Sequence, residues 1–182
     1  MTPAEYVQLK AFARVDGASL ALLWIASFVC YVIGITSPTC ALAAMLLMVV
    51  TPFFAGRRLR KFRDEDRDGV ISLMRGWAFV ILMFFYAAIL LALAQYVYFA
   101  YIDQGYLLAS FSEMLASPEN KTVIEQYGLQ QTIDESMQSL AEMRPIDYAL
   151  NVLTVNITLG IVLGLPIAAL TRKETRTIEN RK

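Results

Sequence analysis

The sequence predicts an all-α fold: a four-helix transmembrane bundle with a short amphipathic N-terminal helix and a small helical extracytoplasmic insert between the third and fourth spans. Three observations predict it. The 182-residue chain is 57% hydrophobic, with a mean hydropathy of +0.50, above the roughly 45–50% apolar share of a soluble domain. The excess gathers into four charge-free runs of about 20 residues, the length that crosses a hydrocarbon core about 30 Å thick. Between the second and third runs stands GRRLRKFRDEDRDGVISLMR, Gly56 to Arg75, whose cations Arg57, Arg58, Arg60, Lys61, Arg63 and Arg67 cannot sit in lipid. The whole chain, 1–182, reads as one integral membrane domain.

The N-terminal segment opens with Thr2, Pro3 and Glu5, a capping box with proline at the first helical position. Tyr6, Leu9, Phe12 and Ala13 share one side of the helix that follows, which suits a helix lying at the inner membrane surface or one leading into the first span. That span covers about 17–36 and the second about 39–55, joined at Ser37-Pro38 as a tight antiparallel hairpin. Cys30 and Cys40 fall near the same end of the hairpin. Free thiols behaving as small hydrophobes are expected there rather than a disulfide. Pro52 should bend the second helix or help to end it.

The third span covers about 76–101, with Trp77 at one interface and Tyr96, Tyr98, Phe99 and Tyr101 at the other, where amphipathic rings settle at headgroup level. The polar insert, about 102–146, carries helix signals at Ser117-Pro118, Gly128 and Pro145. Two apolar stripes, Leu107, Leu108, Phe111, Met114 and Leu115, then Ile133, Met137 and Leu140, predict short amphipathic helices in it. The fourth span covers about 148–170. On it Asn156, Gly160, Gly164 and Ala168 recur at four-residue steps, a small-residue seam that admits a close neighbour. The seam faces either the other spans or a second copy, with the intramolecular packing the expectation.

Cations set the orientation. Two lysines or arginines precede the first span, six lie between the second and third, and five follow the fourth, whereas the stretch from Ile102 to Asp147 has Lys121 and Arg144 against eight acids. Positively charged short loops stay inside, so both termini and the Gly56–Arg75 segment are expected in the cytoplasm. The bilayer is then the first partner. Arg57, Arg58, Arg60, Lys61, Arg63 and Arg67 form a cytoplasmic surface for anionic lipid or for a membrane-protein partner. Zero net charge gives no reason to expect nucleic acid.

The chemistry-bearing motifs are few. With no histidine the commonest general base and metal ligand are absent. Asp64, Asp66, Asp68 and Gly69 match the opening of a calcium loop, but Arg75 stands where that loop needs a bidentate carboxylate. No metal, no cofactor and no catalytic residue is therefore expected. The spans hold no ionisable side chain, which removes the usual sites of proton relay and ion coupling. Among the polar residues left, Gln95 is expected to meet Asn151 or Asn156 across the third and fourth helices, as structural glue.

Phe62-Arg63-Asp64 followed by Gly69, Ile71 and Ser72, on a four-span plan, resembles the bacterial domain-of-unknown-function 4199 membrane family, which shows an aromatic-Arg-Asp run and then Gly-x-Ile-Ser-Phe. Leu73 replaces the second aromatic. The resemblance spans nearly the whole chain and brings no catalytic residue with it. It implies an accessory role beside a membrane-associated glycosyltransferase. The reading that follows is a multi-pass bacterial inner-membrane protein, non-enzymatic, that scaffolds or assists a partner and is open to homo-oligomerisation. Its rival is a carrier of small solutes or lipid, with a pathway between the third and fourth helices past Gln95 and Asn156.

Overall fold

The computed structural model describes residues 2–66 and 68–173. They form seven α-helices: α1 (Pro3–Gly34), α2 (Pro38–Asp66), α3 (Leu73–Val97), α4 (Tyr106–Leu115), α5 (Pro118–Gln126), α6 (Gln130–Glu142) and α7 (Pro145–Thr171). A π-helical turn, Tyr98–Ile102, extends α3. No strand occurs among the described residues; Ile71 and Lys173 form an isolated bridge. Pro3–Gly34, Pro38–Asp66, Leu73–Ile102 and Pro145–Thr171 are long and apolar enough to cross a membrane, so the all-α, four-span class holds.

Two helices run further than their apolar lengths suggest. The capping box is present, with Thr2 N donating to Glu5 Oε2 at 2.8 Å and Glu5 N to Thr2 Oγ1 at 3.3 Å. The helix it starts does not stop before the first span. Residues 3–16 are the opening turns of a single 32-residue helix, about 48 Å long, so the short separate N-terminal helix is absorbed into α1. Likewise α2 passes through Pro52 and the cationic stretch to Asp66. Pro52 removes one backbone donor, while Arg, Lys, Leu and Glu propagate a helix well. The expected 56–75 loop shrinks to a turn, in which Asp68 and Gly69 take positive φ, 51° and 77°.

By packing, the described chain divides into two compact units, Met1–Leu91 with Val152–Lys182, and Ala92–Asn151. The first is organised by the α1–α2 hairpin, whose register counts outward from Ser37. Gly34 lies so close to α2 that a Cβ there would sit 2.8 Å from Ala41 Cα. Further down, Ser27 Oγ donates to the Ala44 carbonyl at 3.0 Å and Trp24 Nε1 to Thr51 Oγ1 at 3.0 Å. Cys30 and Cys40 are free thiols, unequal distances from the turn and therefore out of register. Leu9, Ala13, Leu20, Leu59, Phe62, Phe79, Val80, Met83 and Phe84 form the buried core of this unit.

The second unit contains α4, α5 and α6, the π-helical turn and the adjoining ends of α3 and α7. Ser117 caps α5 through Asn120 N at 3.4 Å, and Gly128 takes φ 63° after that helix, as the sequence signals require. Phe99 stacks on Tyr148 with centroids 4.2 Å apart. Asp147 accepts from Arg144 Nε and Nη2, both at 3.0 Å, a bond that holds the Arg144 guanidinium above its usual pKa. The buried Asp103 carboxylate accepts from Tyr98 Oη at 2.9 Å and from the amides of Gly105 and Leu107 at 3.1 Å.

Candidate functional site at the cationic end

The extension of α2 sorts its cations by helical face. One residue in 3.6 returns to the same side, so Arg58, Leu59, Phe62 and Arg63 turn toward α1, α3 and α7 while Arg57, Arg60 and Lys61 turn outward. Leu59 and Phe62 are buried, and Phe62 stacks on Phe79 at 4.8 Å and meets Phe12 at 5.4 Å. This aromatic stack anchors the charged helix to the bundle.

The inward cations tie helices together. Arg58 reaches Asp16 of α1 at 3.3 Å and lies over the Phe54 ring at 5.1 Å. Arg63 donates to the Thr171 carbonyl at 2.7 Å and grips Asp64 in a fork at 2.7 and 3.0 Å. The guanidinium thus supplies a donor to a carbonyl in the last turn of α7, where the helix has none of its own and its dipole favours a cation. Arg75 pairs with Glu5 at 2.9 Å, and Ile71 N donates to the Lys173 carbonyl at 3.0 Å. These ties connect the starts of α1 and α3 to the ends of α2 and α7.

The outward cations are exposed. Arg57 and Arg60 make no ion pair with a described residue, and Lys61 has an exposed pair with Glu65 at 3.7 Å. Arg67 lies outside the described residues, as do 174–182, which hold most of the basic tail. Asp64 and Asp66 sit two residues apart on α2 and so point in opposing directions, roughly 200° apart, which is no geometry for a shared cation. Among the described residues no three potential metal ligands converge.

Asp16 went unnoticed as a site residue because it stands one position before the apolar run. It is 8% exposed. Next to it Gly17 packs on α3 so tightly that a Cβ would lie 2.7 Å from the Met83 carbonyl. Asp16 stands just outside the charge-free run that begins at Gly17, and it is paired: Arg58 of α2 lies 3.3 Å away. The signal was available: Asp16 and Arg58 each stand 21 residues from Ser37, so the hairpin register pairs them.

The seam on α7 faces α3 within the same chain. A Cβ at Gly160 would lie 2.6 Å from Phe84 Cβ, and one at Gly164 3.0 Å from Trp77 Cδ1; Ala168 Cβ is 3.2 Å from where Gly76 would carry its own. Trp77 Nε1 donates to the Ile161 carbonyl at 3.0 Å. Asn156 directs its amide to the Val152 carbonyl of its own helix at 2.9 Å. In the second unit Gln95 is buried and Asn151 exposed, and the two are not hydrogen-bonded to each other.

One protein family, described as a protein of unknown function (DUF4199), matches residues 16–173. No curated protein and no solved structure matches the chain.

Proposed function

The chain belongs to the DUF4199 family of unknown function, and from that premise we propose that it is a non-enzymatic accessory or scaffold protein of the bacterial inner membrane, with both termini cytoplasmic. One observation carries the reading: Arg58, Arg63 and Arg75 are each engaged in joining helices, so these described cations tie the end into a stiff assembly. A stiff end suits the holding of a partner. The cation distribution supports the cytoplasmic placement of that end, and its exposed cations Arg57, Arg60 and Lys61 offer a partner a surface beside the Asp68–Ser72 turn. A membrane-associated glycosyltransferase is the partner that the family resemblance suggests.

The carrier reading is the weaker one. Phe84 and Trp77 fill the line between α3 and α7 where Gly160 and Gly164 open it, which argues against a solute path along that seam. The same packing argues against use of the seam by a second copy. Purification of the tagged protein in mild detergent should recover a partner in stoichiometric amount. A short insert between Gly69 and Val70 should release it while the protein stays in the membrane. Failure to recover any partner from native membranes counts against the scaffold role. External protease cutting near Arg57 in intact cells counts against the orientation.

A further inference from the structure

Along the outer face of α2, Leu42, Leu46, Val49 and Phe53 form a single exposed stripe, Phe53 being 73% exposed. Four, seven and eight residues beyond Phe53, on the same face, stand Arg57, Arg60 and Lys61. The stripe changes from wholly apolar to cationic within one helical turn. No other described element covers it, whereas the inward cations one position away are neutralised by Asp16 and Asp64 or bound to the Thr171 carbonyl. An apolar face that continues into two arginines with no ion pair to a described residue and a lysine held only by an exposed pair to Glu65 matches one amphiphile, a lipid with an anionic head.

We propose that Arg57, Arg60 and Lys61 hold the phosphodiester head of an anionic glycerophospholipid whose acyl chains lie along the Leu42–Phe53 stripe. The inward pair, Arg58 and Arg63, takes no part. Two outward arginines present forked donors suited to phosphate oxygens, and Lys61 adds a point charge that exchanges its exposed partner Glu65 for the lipid. This binding rests on the membrane reading above and gives the bundle a preferred annular lipid at its cytoplasmic edge.

The test uses the full chain in phosphatidylcholine nanodiscs containing a trace of spin-labelled phosphatidylglycerol or spin-labelled phosphatidylcholine. The wild type should favour phosphatidylglycerol by roughly tenfold or more at low salt, and less as salt rises. The triple variant R57Q/R60Q/K61Q should lose the preference, while K10Q/R14Q, which removes exposed cations from α1, keeps it. Circular dichroism and thermal unfolding check that both variants fold. No preference in the wild type, its survival in the triple variant, or its equal loss in K10Q/R14Q overturns the proposal. A chain that stays in solution without detergent overturns instead the membrane reading beneath it.

Discussion

Asp16 and Arg58 face each other at 3.3 Å across the α1–α2 hairpin, the acid buried and the guanidinium about one third exposed. The pair helps to fix the register of two helices that also meet through a tryptophan–threonine bond, a serine–carbonyl bond, close-packed glycine and the Phe12–Phe62 ring contact. An apolar hairpin can slide by a turn at little loss, since lipid-like side chains are interchangeable along it. A single charge pair with one geometric solution removes that freedom, the use for which buried polar groups are best attested.

Removing only the cation should therefore hurt more than removing both charges. Arg58→Ala leaves Asp16 buried beside Gly17 without its partner. The expected loss is about 2 kcal/mol, below the 3–5 of a fully buried pair because Arg58 is partly solvated. The double variant D16N/R58Q should recover most of that loss. Reversible unfolding in mixed micelles checks the order of the two; a double variant as unstable as the single one would assign the damage to lost packing.

The four long apolar helices, their order and the helical character of the insert are legible in the sequence because each rests on local signals: apolar length, capping residues, proline and glycine. Thr2, Ser117 and Gly128 act as those signals require. What escaped was set by contacts between distant residues. The cationic stretch was expected as a loop, yet Leu59 and Phe62 find a core to enter and keep it helical. The Asp16–Arg58 pair and the close approach of α1 to α3 at Gly17 are set in the same way by residues far apart in the sequence. The π-helical turn at Tyr98 and the three bonds that converge on Asp103 likewise depend on geometry that a period of 3.6 does not encode.

Close approach of α7 to α3 gives a paired glycine test. Gly160→Ala places a methyl 2.6 Å from Phe84 Cβ, an atom fixed to the backbone of α3, so the helices must separate. Destabilisation of about 1–3 kcal/mol is expected from such overpacking. Gly56→Ala meets only Ile167 Cγ2 at 3.9 Å and should be neutral or stabilise α2 by up to about 1 kcal/mol. Thermal unfolding of the two variants side by side reads the difference, and equal behaviour would mean that α7 does not lie on α3 at Gly160.

Asp103 closes the π-helical turn and opens α4. Asp103→Asn keeps the shape but exchanges a charged acceptor for a neutral one, weakening bonds to Tyr98 Oη and to the Gly105 and Leu107 amides. A loss of about 1–2 kcal/mol is expected, confined to the second unit. Hydrogen exchange should quicken at Leu107 and its neighbours in α4, with α1 and α2 unchanged. Uniform acceleration through the chain would contradict a local role for the carboxylate.

Arg63 joins a motif visible in the sequence to a contact that is not. Its fork to Asp64 holds the guanidinium in place, and the remaining amine donates to the Thr171 carbonyl at 2.7 Å, near where Ile71 bridges Lys173. Arg63→Gln cannot do both. The last turn of α7 should fray, with a loss of about 1.5–3 kcal/mol typical of a hydrogen bond to a charged group, reduced where water can replace it. Asp64→Asn should show a smaller loss, because it releases the guanidinium without removing it. The informative reading is exchange at the amides of 168–171 and 173, protected in the wild type and exposed first in Arg63→Gln; protection that survives the substitution would mean that the Ile71–Lys173 bridge alone closes this end of α7.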